Sequence, residues 1–333
     1  MTELTVESVR GDTLDTIHRV VAAVCRADGS LIARSGDPEQ VVIMRSAAKP
    51  FQALPLAADG VMERYAVSPA ELALACASHN SEVRQVELVT GLLRRIGCRA
   101  DDLACGAHRA LARDFTVPPP EGGDRPALAE PSRLASNCSG KHTGMLALAR
   151  HHGWPTDGYH RSGHPVQQRV KRALATYADL PEQEIGEGVD GCGVVAFSLP
   201  LSRMAQAFAR LGADEGAPAR TVVAAMTGHP ELVAGQWRLD TELMQAYAGR
   251  LLVKVGAEGV YGAALIDRGI GVALKVVDGH GRAAMAALMA VLGQAGLDPL
   301  PPAGLRRFAE PMLLNTRGEH VGLMRPAGAL ESV

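Results

Sequence analysis

Ser46 and Lys49 stand three positions apart in Arg45-Ser46-Ala47-Ala48-Lys49-Pro50. On a helix that spacing puts both side chains on one face. A serine hydroxyl is a poor nucleophile until a base takes its proton, and a lysine becomes such a base once burial or a neighbouring cation lowers its pKa. Pro50 has no amide proton and is best tolerated in a first helical turn. That puts Ser46 where a helix starts and where free backbone N–H groups form an oxyanion hole. Proline also disfavours helical geometry at the residue before it, so Lys49 is under tension in this reading. SxxK strings are common by chance, and this one alone is a weak signal.

Two further strings strengthen it. Ser78-His79-Asn80 follows an apolar helix over residues 71–77, and Lys254-Val255-Gly256 ends a strand. Ser-x-x-Lys, Ser-x-Asn and Lys-x-Gly, in that order, are the three elements of penicillin-recognising serine hydrolases, although that group has threonine where this chain has Val255. Lys254 is read as a second Ser–Lys partner for Ser78, as a source of positive field at the site, or as a solvated strand-end lysine.

Asn137-Cys138-Ser139-Gly140-Lys141-His142 gathers small residues, a thiol, an amine and an imidazole just before a helix. Val189-Asp190-Gly191-Cys192-Gly193 is a tight turn with an acid and a thiol. Cys138 and Cys192 can share a soft metal such as zinc, completed by Lys141 or His142. Otherwise they are small buried hydrophobes. His79, His108, His151, His152 and His164 show no ligand spacing and read as ordinary histidines. Arg45 and Asp190 are candidates to hold the carboxylate and ammonium of an amino-acid substrate by opposite charge.

These residues need a frame. Arg19–Cys25, a turn at Asp28-Gly29 and Leu31–Arg34 read as strand, turn and strand, with a short strand at Val41–Met44. Helices are expected over residues 50–59, 70–77, 82–96, 143–151, 165–177, 201–211 and 218–226. Asp240-Thr241 reads as the cap of another. Strands return at 251–254, 259–266 and 270–277, followed by a terminal helix over 282–292. The Pro- and Gly-rich stretch 115–132 reads as a long loop. Strands at both ends and helices between them give an α+β fold: one domain over 1–333, with a sheet from about 15–45 and 250–280 and a helical region over about 50–248.

Composition sets the outer bounds. The 333 residues are 47% hydrophobic with a net charge of -2. No Lys/Arg block appears, which argues against nucleic acid and anionic membranes as partners. No signal-peptide pattern or membrane-length apolar run is seen, so a cytoplasmic protein is expected. The six cysteines are scattered without a CxxC pair and are expected to be free thiols.

Taken together, the strings resemble the rhizobial-type asparaginases, the asparaginase II family. The resemblance rests on His18-Arg19, Arg45–Pro50, Cys76–Glu82, Asn137–His142, His164–Gln167, Val189–Gly193, Lys254–Gly259 and Ala273–Val276, in order over about residues 15–290. It implies a serine β-lactamase-like fold and hydrolysis of L-asparagine to aspartate and ammonia. It implies two Ser–Lys pairs, Ser46 with Lys49 and Ser78 with Lys254. It implies zinc on Cys138, Lys141 and Cys192, in a structural or substrate-orienting role, and a homodimer. Asn137 and His142 join Arg45 and Asp190 as candidate substrate contacts. One departure is visible: Val194-Val195 stands where the family usually has a proline after the Gly-Cys turn. Two rival functions are a β-lactam-recognising hydrolase and a non-catalytic, zinc-structured amino-acid-binding protein.

Overall fold

The computed structural model describes residues 3–111, 126–297 and 303–333. The strands, in chain order, are β1 (Thr5–Arg10), β2 (Thr13–Arg26), β3 (Leu31–Ser35), β4 (Val41–Ile43), β5 (Gly186–Val189), β6 (Val195–Pro200), β7 (Leu251–Gly256), β8 (Val260–Leu265), β9 (Ile270–Val276), β10 (Met312–Leu314), β11 (His320–Ala327) and β12 (Glu331–Ser332). The helices are α1 (Lys49–Ala58), α2 (Val61–Tyr65), α3 (Pro69–Ala75), α4 (Val83–Arg95), α5 (Ser139–His152), α6 (Pro165–Ala178), α7 (Leu201–Ala213), α8 (Ala217–Gly228), α9 (Pro230–Val233), α10 (Leu239–Ala246), α11 (Gly281–Gln294) and α12 (Arg306–Ala309).

The main sheet runs β10-β11-β1-β2-β9-β8-β7, with β3 on β2 and β12 on β3. Its pairings are antiparallel. β2 organises it. Residues 13–19 pair with β1, residues 22–25 with β3, and residues 20–26 with β9 on the other side. Successive side chains in a strand point to opposite faces. Val21, Ala23 and Cys25 accordingly join the core on the helical side, while Val20, Ala22 and Val24 join the core under α11. The same alternation on β7 sends Leu252 to the helical side and Leu251 and Val253 to the other. Lys254, two residues past Leu252, therefore shares the helical face. The α+β fold expected from the sequence is the one observed.

Several details differ from the expectation. Val41–Ile43 leaves the main sheet and pairs with β6 in a separate three-stranded sheet, β4-β6-β5. The reason is register: Val42 is buried while Val41 and Ile43 are exposed, a one-faced strand suited to a small surface sheet. The helix expected at the end of the chain, α11, is followed by β10, β11 and β12, which extend the sheet beyond residue 280. β1 lies inside the sheet and was absent from the expectation. α5 begins at Ser139, so Lys141 and His142 belong to its first turn and do not precede it. The Pro118–Gly123 part of the expected loop lies outside the described residues.

Candidate active site

The Arg45–Ala48 segment forms a 3-10 turn that runs directly into α1. Ala47 N–H closes the turn on the Met44 carbonyl at 3.1 Å. Arg45, just before Ser46, sits at φ 51, in the left-handed region that non-glycine residues rarely occupy. Such outliers persist only where surrounding structure holds them, and they cluster at functional sites. Arg45 is held by its Nε, which donates to Asp190 Oδ1 at 2.8 Å. Lys49 adopts helical angles (φ -59, ψ -38) despite the proline that follows. The preceding 3-10 turn carries the chain into the helix and overrides that local bias.

α3 delivers Ser78. Its start is fixed by a capping box in which Ser68 and Glu71 satisfy each other's backbone N–H groups. Past its end, Ser78 N–H donates to the Val233 carbonyl at 2.9 Å, tying the Ser78-His79-Asn80 string to α9. α5 packs tightly on α3 at Gly140, where a Cβ would collide with the Leu74 carbonyl. That close approach brings Cys138 and Lys141 towards the same centre.

There the strings converge. Lys49 Nζ donates to Ser78 Oγ at 3.1 Å, and Lys254 Nζ donates to the same oxygen at 3.0 Å. Lys49 also donates to the carbonyls of Ala77 at 2.5 Å and Asn137 at 3.4 Å, and Lys254 to that of Val255 at 2.8 Å. Lys49, Ser78 and Lys254 are all buried, at 1%, 3% and 0% exposure. Burial chiefly lowers the pKa of both lysines, because desolvation penalises the ammonium form. For Lys254 the result is about 7, with the Asp240 carboxylate pulling the other way. The geometry thus pairs Ser78 with Lys254, but it turns Lys49 to the same Ser78 hydroxyl and not to Ser46. Ser46 is half-buried beside this centre and is not among the hydrogen-bond partners of Lys49.

The chain has only five lysines, Lys49, Lys141, Lys171, Lys254 and Lys275, against 34 Lys and Arg together. Three of the five are buried in this one region. Arginine cannot lose its proton in a protein, whereas a buried lysine can. Lysine is therefore concentrated where a titratable cation matters. That compositional signal was present in the sequence and was overlooked.

Lys141 Nζ lies 3.1 Å from Cys192 Sγ. Burial lowers the Lys141 pKa, but the thiols of Cys138 and Cys192 and the Asp190 carboxylate outweigh it and hold the ammonium above its usual range. A hydrogen bond from Cys192 is the largest cause that drives Cys138 well below a normal thiol, with burial opposing it. The same bond and burial push Cys192 up. Among the described residues no three His, Cys, Asp or Glu side chains cluster as a metal cage would need. The donor set is two thiols and an amine, which fits a soft, thiolate-preferring cation once the amine gives up its proton.

The structure assigns other candidates less open positions. His142 is wholly buried; its Nδ1 is 2.6 Å from Tyr159 Oη, and Tyr159 Oη accepts from Ala104 N–H. Burial and the nearby lysines push its pKa well down, so it is held neutral. Asn137 is half-buried, and its carbonyl accepts from His79 N–H at 3.2 Å as well as from Lys49. Arg45 and Asp190, expected to grip opposite ends of a substrate, bond each other. Asp240, expected only as a helix cap, lies in the first turn of α10 and accepts from Val255 N–H at 2.7 Å.

The fold and the site define a class: an α+β protein with a dry serine–lysine centre assembled between its helices and the edge strand of its sheet. Residues 6–326 match the L-asparaginase II family, and the chain belongs to that family. No curated protein matches the chain. Among solved structures, that of Mglu in its native form is 14% identical, with a TM-score of 0.40 over 87% of this chain and 62% of its own. The chain thus spans less than two thirds of that structure. A β-lactamase from Mycobacterium bovis is 15% identical, with a TM-score of 0.36 over 84% of this chain and 95% of that one. An octameric penicillin-binding protein homologue from Pyrococcus abyssi is 13% identical, with a TM-score of 0.37 over 90% and 79%. Among the described residues no helix is long and apolar enough to cross a membrane.

Proposed function

We propose that this chain hydrolyses L-asparagine to L-aspartate and ammonia through an aspartyl-serine intermediate. The observation that carries the reading is the buried chain Lys49–Ser78–Lys254, with two lysines on one hydroxyl. Ser46, half-buried beside it, attacks the side-chain amide carbon of the substrate as Lys49 takes its proton. Ser78 relays that proton towards Lys254. The relay returns a proton to the leaving nitrogen, the C–N bond breaks, and ammonia departs. Water then enters with the relay as base, the ester C–O bond breaks, and aspartate and the Ser46 hydroxyl are restored. General acid–base help of this kind contributes about 10²–10⁴-fold.

Arg45 and Asp190 bond each other at the mouth of the Cys192 turn, and the pair offers one charge of each sign to the zwitterionic end of an amino acid. Cys138, Lys141 and Cys192 would hold zinc. When bound, the metal would supply a fixed positive charge that pins the head of α5 to the Asp190 turn. None of the proton transfers above requires it.

A second reading makes Ser78 the nucleophile. The direct lysine contacts favour it, and its 3% exposure disfavours it, because a substrate carbonyl must reach the oxygen. A coupled ammonia assay on wild type, Ser46→Ala and Ser78→Ala tests the proposal. Wild type releases ammonia from L-asparagine, and each variant loses activity by about 10³-fold or more. Near-normal turnover by Ser46→Ala sinks the role given to Ser46. Binding of asparagine without ammonia from wild type would favour the non-catalytic rival, and nitrocefin hydrolysis would favour the β-lactam one.

Zinc is tested separately. Elemental analysis of protein purified without added metal is expected to find zinc, lost in Cys138→Ser. Its clean absence from a fully active wild type would leave both thiols as packing residues.

A further inference from the structure

Asp240 is a charged side chain with no exposed surface. Its Oδ1 accepts from Val255 N–H at 2.7 Å, and its Oδ2 has no hydrogen-bond partner among the described residues. Removing a carboxylate from water is costly, so a buried one with an unpartnered oxygen calls for an explanation. The helix that carries it is held firmly. Thr241 Oγ1 donates to the carbonyls of Pro230 and Gly235 at 3.0 and 2.7 Å, and Arg238 Nη1 donates to Asn80 Oδ1 at 3.1 Å. Asp240 grips the amide N–H of Val255, and the carbonyl of that same residue receives Lys254: Lys254 Nζ donates to Val255 O and Ser78 Oγ.

We propose that Asp240 is a positioning residue for this site. It anchors the Lys254–Val255 segment of β7 and supplies the fixed negative charge against which Lys254 takes up and returns a proton. The proposal rests on the reading of Lys254 as the end of the Ser78 relay. The groups facing Lys254 come from several elements: Asp240 from α10, Lys49 from α1, Arg238 from the residue before α10, and Cys138 at the head of α5. Burial, with Asp240 adding to it, raises the pKa of Tyr261 on β8. Of the groups on Lys254, the cations Lys49 and Arg238 favour the neutral amine, and burial favours it most. Asp240 is the largest influence in the other direction. Without it the amine would be a poor proton acceptor.

The test uses full-length protein labelled at lysine Cε with carbon-13. Five lysines give a spectrum simple enough to assign by Lys→Arg variants. Asp240→Asn keeps the shape and an acceptor for Val255 N–H but removes the charge. The Lys254 midpoint is expected to fall by about one pH unit or more. Its kcat falls about tenfold, KM stays within about twofold, and the acid limb of kcat/KM moves down with the midpoint. Asp240→Glu, which keeps the charge, restores the midpoint. Asp240→Ser, with room for a water on the Val255 N–H, serves if the Asn variant does not fold. A Lys254 midpoint unchanged by loss of the charge overturns the proposal. A wild type that releases no ammonia from asparagine overturns the functional reading instead, and the Lys254 midpoint still decides the role of Asp240.

Discussion

At the residue scale, chemistry is concentrated in side chains that can change charge without water. Lys49 and Lys254 share Ser78 Oγ, and both are depressed chiefly by burial. Arginine keeps the charge and cannot act as a base at neutral pH. Lys49→Arg and Lys254→Arg are therefore each expected to lower kcat by about 10²–10⁴-fold, measured as ammonia release with near-UV circular dichroism unchanged. The sign of the pH dependence follows from Lys254. It must be neutral to accept the relayed proton, so kcat/KM falls as pH drops through its pKa of about 7. A flat profile from pH 5 to pH 8 would contradict that assignment. The Ser-x-x-Lys, Ser-x-Asn and Lys-x-Gly strings were readable in the sequence because residue type and short spacing are local facts. Their contacts were legible only in part: Ser78 with Lys254, 176 residues apart, was expected, whereas the Lys49–Ser78 bond and the direct bond of Arg45 to Asp190, 145 residues apart, were not. Asp240 was read as a helix cap because caps are the usual use of aspartate at a helix start. Its contact with Val255 is a tertiary one.

At the element scale, backbone approach decides whether those contacts form. Gly140 lets α5 touch α3 at the Leu74 carbonyl, and Gly271 lets β9 touch α7 at the Ala205 carbonyl. Neither neighbour is a flexible side-chain end that could move aside. Gly140→Ala and Gly271→Ala are each expected to destabilise by about 1–3 kcal/mol, read as a lower urea midpoint. Gly140→Ala should also lower activity, since α5 carries Cys138 and Lys141 into the site. A midpoint within error of wild type would show that the helix shifts freely. Helix α1 and the helices from α3 to α8 were legible because their apolar residues recur with helical period, while the five-residue α2 was too short to show one. β11 was not. Only Met324 of its eight residues is buried, so no alternating pattern marks it. β1 was missed for a related reason: its inward positions are Val6 and Ser8, and a buried serine breaks the apolar alternation.

At the scale of the whole molecule, the sheet is closed by the two ends of the chain. β1 lies between β11 and β2, so segments more than 300 residues apart in sequence are hydrogen-bonded neighbours. Removing β11 and β12 by truncation after Gly318 should expose the β1 edge and the core under α11. Exposed edges and apolar faces promote association. The truncated chain is expected to aggregate or to lose at least about 5 °C in Tm, seen by size exclusion and thermal unfolding. A monodisperse chain with unchanged Tm would mean the site and core stand without that closure. The sheet itself brings Lys254 on β7 to the helices that carry Lys49 and Ser78, and the site exists only when both halves are assembled.

The central claim is that an acyl group passes through a serine beside a lysine relay. Acid quenching during turnover of L-asparagine, followed by peptide mass spectrometry, tests it most directly. The account predicts an aspartyl ester on the peptide containing Ser46, absent in Ser46→Ala. Ammonia release with no ester on Ser46 or Ser78 would contradict it.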